Sequence, residues 1–189
     1  MTQANESLSF SRLEILQMGN PKLRDTAQAI PLGNFANAAP GNPALQVLID
    51  RLLVTLHESN GVGIAAPQVG QPLCLIIVAS HPNPRYPDAP KMEPLPMLNP
   101  RLLSHSDETV KGWEGCLSVP GIRGFVPRYR EIEVEYGDRH GNLHRQVFTD
   151  FIARIVQHEV DHLNGLVFVD RVETTRDLIT EQEYQKLLS

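Results

Sequence analysis

The stretch "QHEVDHLNG", Gln157 to Gly165, decides how the rest of this chain is read. His158 and His162 stand four apart, so on a helix both imidazoles project from one face, with Glu159 beside the first. The residues before them support a helix: Phe151, Ile152, Ile155, Val156 and Leu163 make it apolar around much of its circumference. Thr149 or Asp150 stands where a cap belongs, and Gly165 where a terminator belongs. A helix apolar on so many sides is expected to be buried, and its histidines with it. A lone buried histidine is usually a satisfied core residue, whereas two at this spacing flanking a glutamate point to a metal. Two ligands do not complete a catalytic centre, because a zinc-type site takes three protein ligands and keeps a position for water.

Working outward, "EIEVEY" (residues 131–136) alternates strictly, with Ile132, Val134 and Tyr136 on one face and three glutamates on the other. That is a half-exposed strand. "GDRHGN" then supplies a turn and "LHRQVF" a return strand. Further back, Asn42 is a candidate N-cap and Pro43 suits a first turn. Leu45, Leu48, Ile49, Leu52, Leu53 and Leu56 follow as one apolar stripe, which "SNGVG" ends. "LCLIIVA" (residues 73–79) is a continuous apolar run, expected as a strand buried on both faces. Residues 81–100 hold seven prolines and are read as an irregular excursion. The plain reading is a surface insertion; a cleft wall or a subunit contact are the alternatives. Strands and helices do not alternate in βαβ order. The predicted class is α+β, mostly antiparallel sheets packed around the buried helix in the C-terminal half.

At 189 residues, 41% hydrophobic and 21% charged, residues 1–189 are expected to form one domain. A net charge of −5 offers no basic footprint for nucleic acid. No apolar run approaches the length of a membrane span. The first seventeen residues have no apolar signal core and one arginine, which argues for a cytoplasmic protein. Two cysteines, Cys74 and Cys116, make a disulfide framework improbable and suit a reducing compartment.

Several residues compete to be the third ligand. The pattern H-E-x-x-H-x-x-G-x-x-H is met at Gly165 but broken by Phe168 where its last histidine belongs. A later glutamate, Glu181 or Glu183, would give a zinc endopeptidase, although both fall in the final nine residues, where chains commonly fray. The other histidines, at 57, 81, 105, 140 and 144, have no motif around them. Cys116 lies in "WEGCLSVPG", beside a glycine and a turn, and a thiolate is a strong ligand for borderline divalent metals. It is equally readable as a small buried hydrophobe, as Cys74 in its apolar strand is.

"GVGIAAPQ" (residues 61–68) is superficially a dinucleotide fingerprint, but a helix precedes it and a strand follows, the reverse of the required order. Its glycines would instead expose backbone to an extended peptide. Gln68 at its end is either a polar loop residue or, beside a metal and a carbonyl, an oxyanion donor.

Together "GVGIAAPQ", "EGCLS" and "HEVDH" resemble the three signature segments of the peptide deformylases, in that family's order, spanning Gly61 to His162. The resemblance implies that Cys116, His158 and His162 bind one divalent ion, usually Fe2+ in the family, with Zn2+, Ni2+ or Co2+ able to replace it. It implies the reaction too: hydrolytic removal, as formate, of the N-formyl group from the initiator methionine of a new polypeptide. A metal there lowers the pKa of a bound water. Glu159 would carry the proton to the departing amine. Gln68 and the Leu117 N–H would stabilise charge on the formyl oxygen.

By the same resemblance Val62, Gly63 and Gly115 would hold the peptide backbone, and Phe151 and Ile155 would wall the methionine pocket. Arg123 either borders the cleft or pairs with an acid, a structural ion pair being the favoured reading. Asp161 either ties down the metal helix or is a surface acid. Some deformylases dock on the ribosome through a C-terminal extension, so transient ribosome proximity is implied. Here the tail from Asp170 to Ser189 holds three basic and five acidic residues, a charge that does not support such docking.

Overall fold

The alternation in "EIEVEY" and the apolar run in "LCLIIVA" become two strands of one sheet in the computed structural model. The structure describes residues 11–31, 42–83 and 85–187; Pro84, in the proline-rich stretch, and the last two residues of the tail lie outside them. A five-stranded sheet runs in the order β1 (Gly63–Ala65), β2 (Leu75–Ser80), β3 (Met92–His105), β6 (Glu131–Gly137), β7 (Leu143–Thr149). A second sheet holds β4 (Thr109–Cys116), β5 (Val119–Tyr129) and β8 (Leu178–Thr180). Every pairing between these strands is antiparallel. With three α-helices among the described residues, the class is α+β as the sequence predicts.

Helix α1 (Pro43–Glu58) is capped as expected, Asn42 Oδ1 accepting from Ala44 N–H at 3.1 Å. Its Ile49, Leu52 and Leu56 pack on Leu75, Ile77 and Ala79 of β2. The alternate residues of β2, Ile76 and Val78, pack on the other face with Ile132, Val134, Ile155 and Val156. Burial on both faces is why this strand has no polar alternation. Helix α2 (Asp150–Leu163) therefore covers the face opposite α1, with Gly165, φ +71°, just past its Asn164 cap. Its start departs from expectation. Thr149 occupies the cap position without a side-chain bond, and Asp150 Oδ1 accepts from Arg130 Nε at 3.0 Å instead.

The proline-rich stretch needs a larger correction. Its second half is not irregular but forms β3, prolines included. Residues 92–98 pair with β2, and β6 is engaged only from Leu98 onward. N–H groups alternate between the two edges of a strand, so Pro94 and Pro96, two apart, leave one edge of the ladder intact.

Residues 178–187 of the tail also form regular structure. Helix α3 (Glu181–Leu187) follows β8, which pairs with β5, and its Tyr184 is buried. No helix among the described residues is long and apolar enough to cross a membrane.

Candidate active site

Two sheet edges and one helix build the site. β1 is the edge of the five-stranded sheet and β4 the edge of the smaller one. A cleft lies between them, lined by Val62, Gly63, Gly115, Leu117, Phe151 and Ile155, with Gln68, Cys116, His158 and Glu159 also exposed to it. All the candidate substrate and proton-transfer residues thus meet in one cavity.

β4 delivers Cys116 at its last position, before the turn Leu117-Ser118 into β5. Helix α2 delivers His158 and His162 one turn apart, ring centroids 5.2 Å from each other. Cys116 Sγ lies 3.3 Å from His162 Nε2, and one ligand atom from each of the three residues lies within 4.8 Å of the others. All three are buried, and no other such group occurs among the described residues. His158 Nδ1 bonds Glu114 Oε2 at 2.9 Å, which fixes that ring and turns Nε2 to the cluster.

Burial alone would raise the Cys116 thiol, yet the imidazoles of His162 and His158 bring it well below its ordinary value. A thiolate with two fixed imidazoles is a donor set that suits a borderline divalent cation, and three protein donors are the catalytic number. These residues fit the ion the sequence implies.

Glu159 is buried, its Oε2 has no partner among the described residues, and burial pushes its carboxyl up to about 7 despite the pull of His158 and His162. Gly63 makes room for it. A Cβ at position 63 would fall on Glu159 Oε1 and lie 2.8 Å from its Cδ and Cγ. Gln68 sits on a 3-10 turn (Ala66–Val69) after β1, with Nε2 3.4 Å from Cys116 Sγ.

Other expectations fare differently. The N–H of Gly115 is already engaged, donating to Tyr86 Oη at 3.2 Å, and Val62 O accepts from Ala79 N–H at 2.8 Å. Glu181 accepts from Arg123 at 2.6 and 3.0 Å, and Glu183 pairs with Lys186 at 2.7 Å, so neither joins the cluster. Arg123 is the structural pair expected, fully buried between the rings of Tyr86 and Tyr184. Asp161 is no surface acid. It holds Arg128 at 2.6 Å, Arg128 grips Glu114 at 2.9 and 3.0 Å, and Glu114 orients His158. Burial would raise the Glu114 carboxyl, but His158 and Arg128 keep it well below the usual carboxylate range.

Sequence reasoning missed Arg85, Tyr86 and Arg154, which line the cleft. The first two come from the proline-rich stretch, so its first half is a cleft wall rather than a mere surface insertion. Arg154 had a readable signal, standing four residues before His158 and so on that histidine's helix face. It donates to Glu114 Oε1 at 2.9 Å and to Val126 O at 2.8 Å.

Known proteins share this arrangement of sequence and fold. The family model described as polypeptide deformylase matches residues 12–177. Peptide deformylase 2 of Nostoc sp. is 58% identical over 177 residues, covering 94% of this chain and 95% of the relative. Peptide deformylase 1 of Bordetella pertussis is 43% identical over 174 residues, covering 92% and 93%. The class I type b peptide deformylase from Acinetobacter baumannii, solved with Met-Ala-Ser bound, superposes with a TM-score of 0.81 at 46% identity, over 86% of this chain and 99% of that one. The chain belongs to the polypeptide deformylase family, metal-dependent hydrolases that remove the N-formyl group from new polypeptides.

Proposed function

We propose that residues 1–189 act as one catalytic domain that hydrolyses the formyl group of N-formyl-methionyl polypeptides, with Cys116, His158 and His162 holding a single Fe2+. The same donors accept Zn2+, Ni2+ or Co2+. Bound there, the ion supplies Lewis acidity toward water and the formyl oxygen. Glu159 takes a proton from the attacking water at its unpartnered Oε2 and returns it to the amine nitrogen as the formyl C–N bond breaks. Formate and a free amino terminus result. Gln68 Nε2 and the Leu117 N–H donate to the formyl oxygen as charge gathers on it. Val62, Gly63 and the carbonyl of Gly115 hold the peptide between the two sheet edges, while Phe151 and Ile155 enclose the methionine side chain. The Met-Ala-Ser peptide held by the Acinetobacter relative supports a methionine-led ligand. Such substrates arise at translation, so the protein works in a bacterial cytoplasm, transiently near ribosomes and without binding nucleic acid itself.

The observation that carries this reading is the meeting of a buried cysteine sulfur and two imidazoles within 4.8 Å of one another, beside the buried Glu159 carboxyl. The test incubates anaerobic, iron-loaded protein with a formyl-Met peptide and its unformylated twin. Formate release with internal bonds intact is expected. Peptide fragments would select the endopeptidase instead, and neither product would leave only a peptide-binding module. A silent ferrous sample is repeated with nickel or cobalt. Cys116→Ala should lose the ion itself, read by metal analysis.

A further inference from the structure

The segment 11–18 carries no motif and forms no helix or strand, yet it grips both sides of the cleft. Leu16 N–H donates to Gln68 O at 2.8 Å, and Met18 N–H to Ser118 O at 2.7 Å. Gln68 follows β1, whereas Ser118 belongs to the turn between β4 and β5, so these two bonds hold the sheet edges at a set separation. Across that span the side chains meet: Gln68 Nε2 donates to Ser118 Oγ at 3.1 Å. On the other side of the amide, Oε1 accepts from Ala65 N–H at 2.8 Å. Gln68 is 1% exposed and Ser118 fully buried.

A primary amide has two donor hydrogens and one acceptor oxygen. Here the oxygen is committed to Ala65 and one hydrogen to Ser118. The other hydrogen is donated toward Cys116 Sγ, 3.4 Å away, where the cleft begins. With only the Ala65 bond, the amide plane could pivot about its oxygen and its donor would be spread over several directions. A donor helps a transition state only when it is already aimed.

We infer that Ser118 is a positioning residue for the hydrolysis: its hydroxyl, backed by the main chain of Met18, aims the second N–H of Gln68, the one on the Cys116 side, at the formyl oxygen. The inference rests on Gln68 being the oxyanion donor proposed above. A serine that merely satisfied a buried amide would have the same contacts, so the test must separate the two.

Kinetics on a formyl-Met peptide are compared for the parent, Ser118→Ala, Gln68→Ala and the double variant at equal metal content. Ser118→Ala is expected to lower kcat roughly tenfold with KM unchanged, about what one misdirected hydrogen bond is worth. In the Gln68→Ala background the same change should do nothing more, because its effect passes through that amide. Met18→Pro deletes the backing N–H while altering an exposed side chain, and should cause a smaller loss with the same dependence on Gln68. A readout free of turnover is the Gln68 side-chain N–H₂ resonance of the zinc-loaded protein, identified by its disappearance in Gln68→Ala. It should be shifted and slow to exchange in the parent, and move to the position of a free amide in Ser118→Ala.

Equal losses from Ser118→Ala in both backgrounds, or an unmoved resonance, overturn the inference. So does full activity of Ser118→Ala while Gln68→Ala is slow, and that result leaves the reading of Gln68 intact. Full activity of Gln68→Ala removes both.

Discussion

Arginine–carboxylate pairs occur at matching distances in two very different places. Behind His158, Glu114 takes Arg128 at 2.9 and 3.0 Å and Arg154 at 2.9 Å, and Asp161 takes Arg128 at 2.6 Å. On the β6–β7 hairpin, Glu133 takes Arg145 at 2.6 and 2.8 Å. The side chains of Glu114, Asp161 and Arg128 are 4–6% exposed, whereas that of Arg145 is 62% exposed. Water can replace a partner in the second place and not in the first, so loss of one member strands a charge only in the interior. The buried set also ends on a metal-ligand candidate, His158, and the hairpin set ends on solvent. Bond length does not rank these interactions; burial and what the chain of contacts terminates on do.

Glu114→Ala should break the comparison most forcefully. It strips the acceptor from His158 Nδ1, takes the Glu114 carboxylate from Arg154 and removes one of the two carboxylates that hold Arg128. Metal affinity, read by competition with a chelator, is expected to fall about 10–100-fold, the usual result of removing a carboxylate behind a ligating histidine. Urea unfolding should show a loss of about 3–5 kcal/mol, because buried charge is left uncompensated. Parent-like values for both would mean that the network neither orients His158 nor depends on its burial.

Arg128→Met sharpens the point with a milder cut. Glu114 keeps Arg154 and His158, and Asp161 keeps Arg171, so no carboxylate is wholly abandoned. The expected destabilisation is about 1–3 kcal/mol, the range for a buried group left partly unsatisfied. A cost as large as that of Glu114→Ala would show that Arg128, rather than the glutamate, is the hub.

The two regions were not equally legible in the sequence. The hairpin announced itself, because strict alternation and a turn are local properties, and so did α1 and α2 through their periodicity and flanking glycine or proline. The spacing of His158 and His162 is local too. Cys116 is not: it lies 42 residues upstream of His158, and only a resemblance of whole segments linked them. Arg128 and Asp161 carry no local sign that they meet, since their pairing depends on how β5 packs on α2. β3 was missed because proline ordinarily removes a ladder bond. That rule fails where a strand has a partner on one edge at a time. Tyr86 and Ser118 were invisible as site residues for the same reason as Arg128, their role being defined by what the fold brings opposite them.

The smallest effects belong to the hairpin, and there pH separates its turn from its ladder. Asp138 accepts from the N–H groups of His140 and Asn142 at 2.8 and 2.9 Å and bonds His144 Nε2 at 3.0 Å. Burial would raise its carboxyl, but bonds from Asn142, His144 and the main chain hold it well below its ordinary 3.8. A carboxyl depressed in the folded state adds stability that is fully present above the ordinary value and is lost as pH falls through the folded one. Amide exchange at His140 and Asn142, corrected for intrinsic rates, should therefore quicken relative to α2 as pH drops below 3.8, and Asp138→Asn should abolish that dependence. Arg145→Ala is expected to do least of all. Glu133 keeps Ser104 Oγ at 3.1 Å and regains water on its open side, so the urea midpoint should match the parent within error. A midpoint lowered as far as that of Arg128→Met would mean that exposure does not set the worth of these pairs, and the contrast between hairpin and interior would be lost.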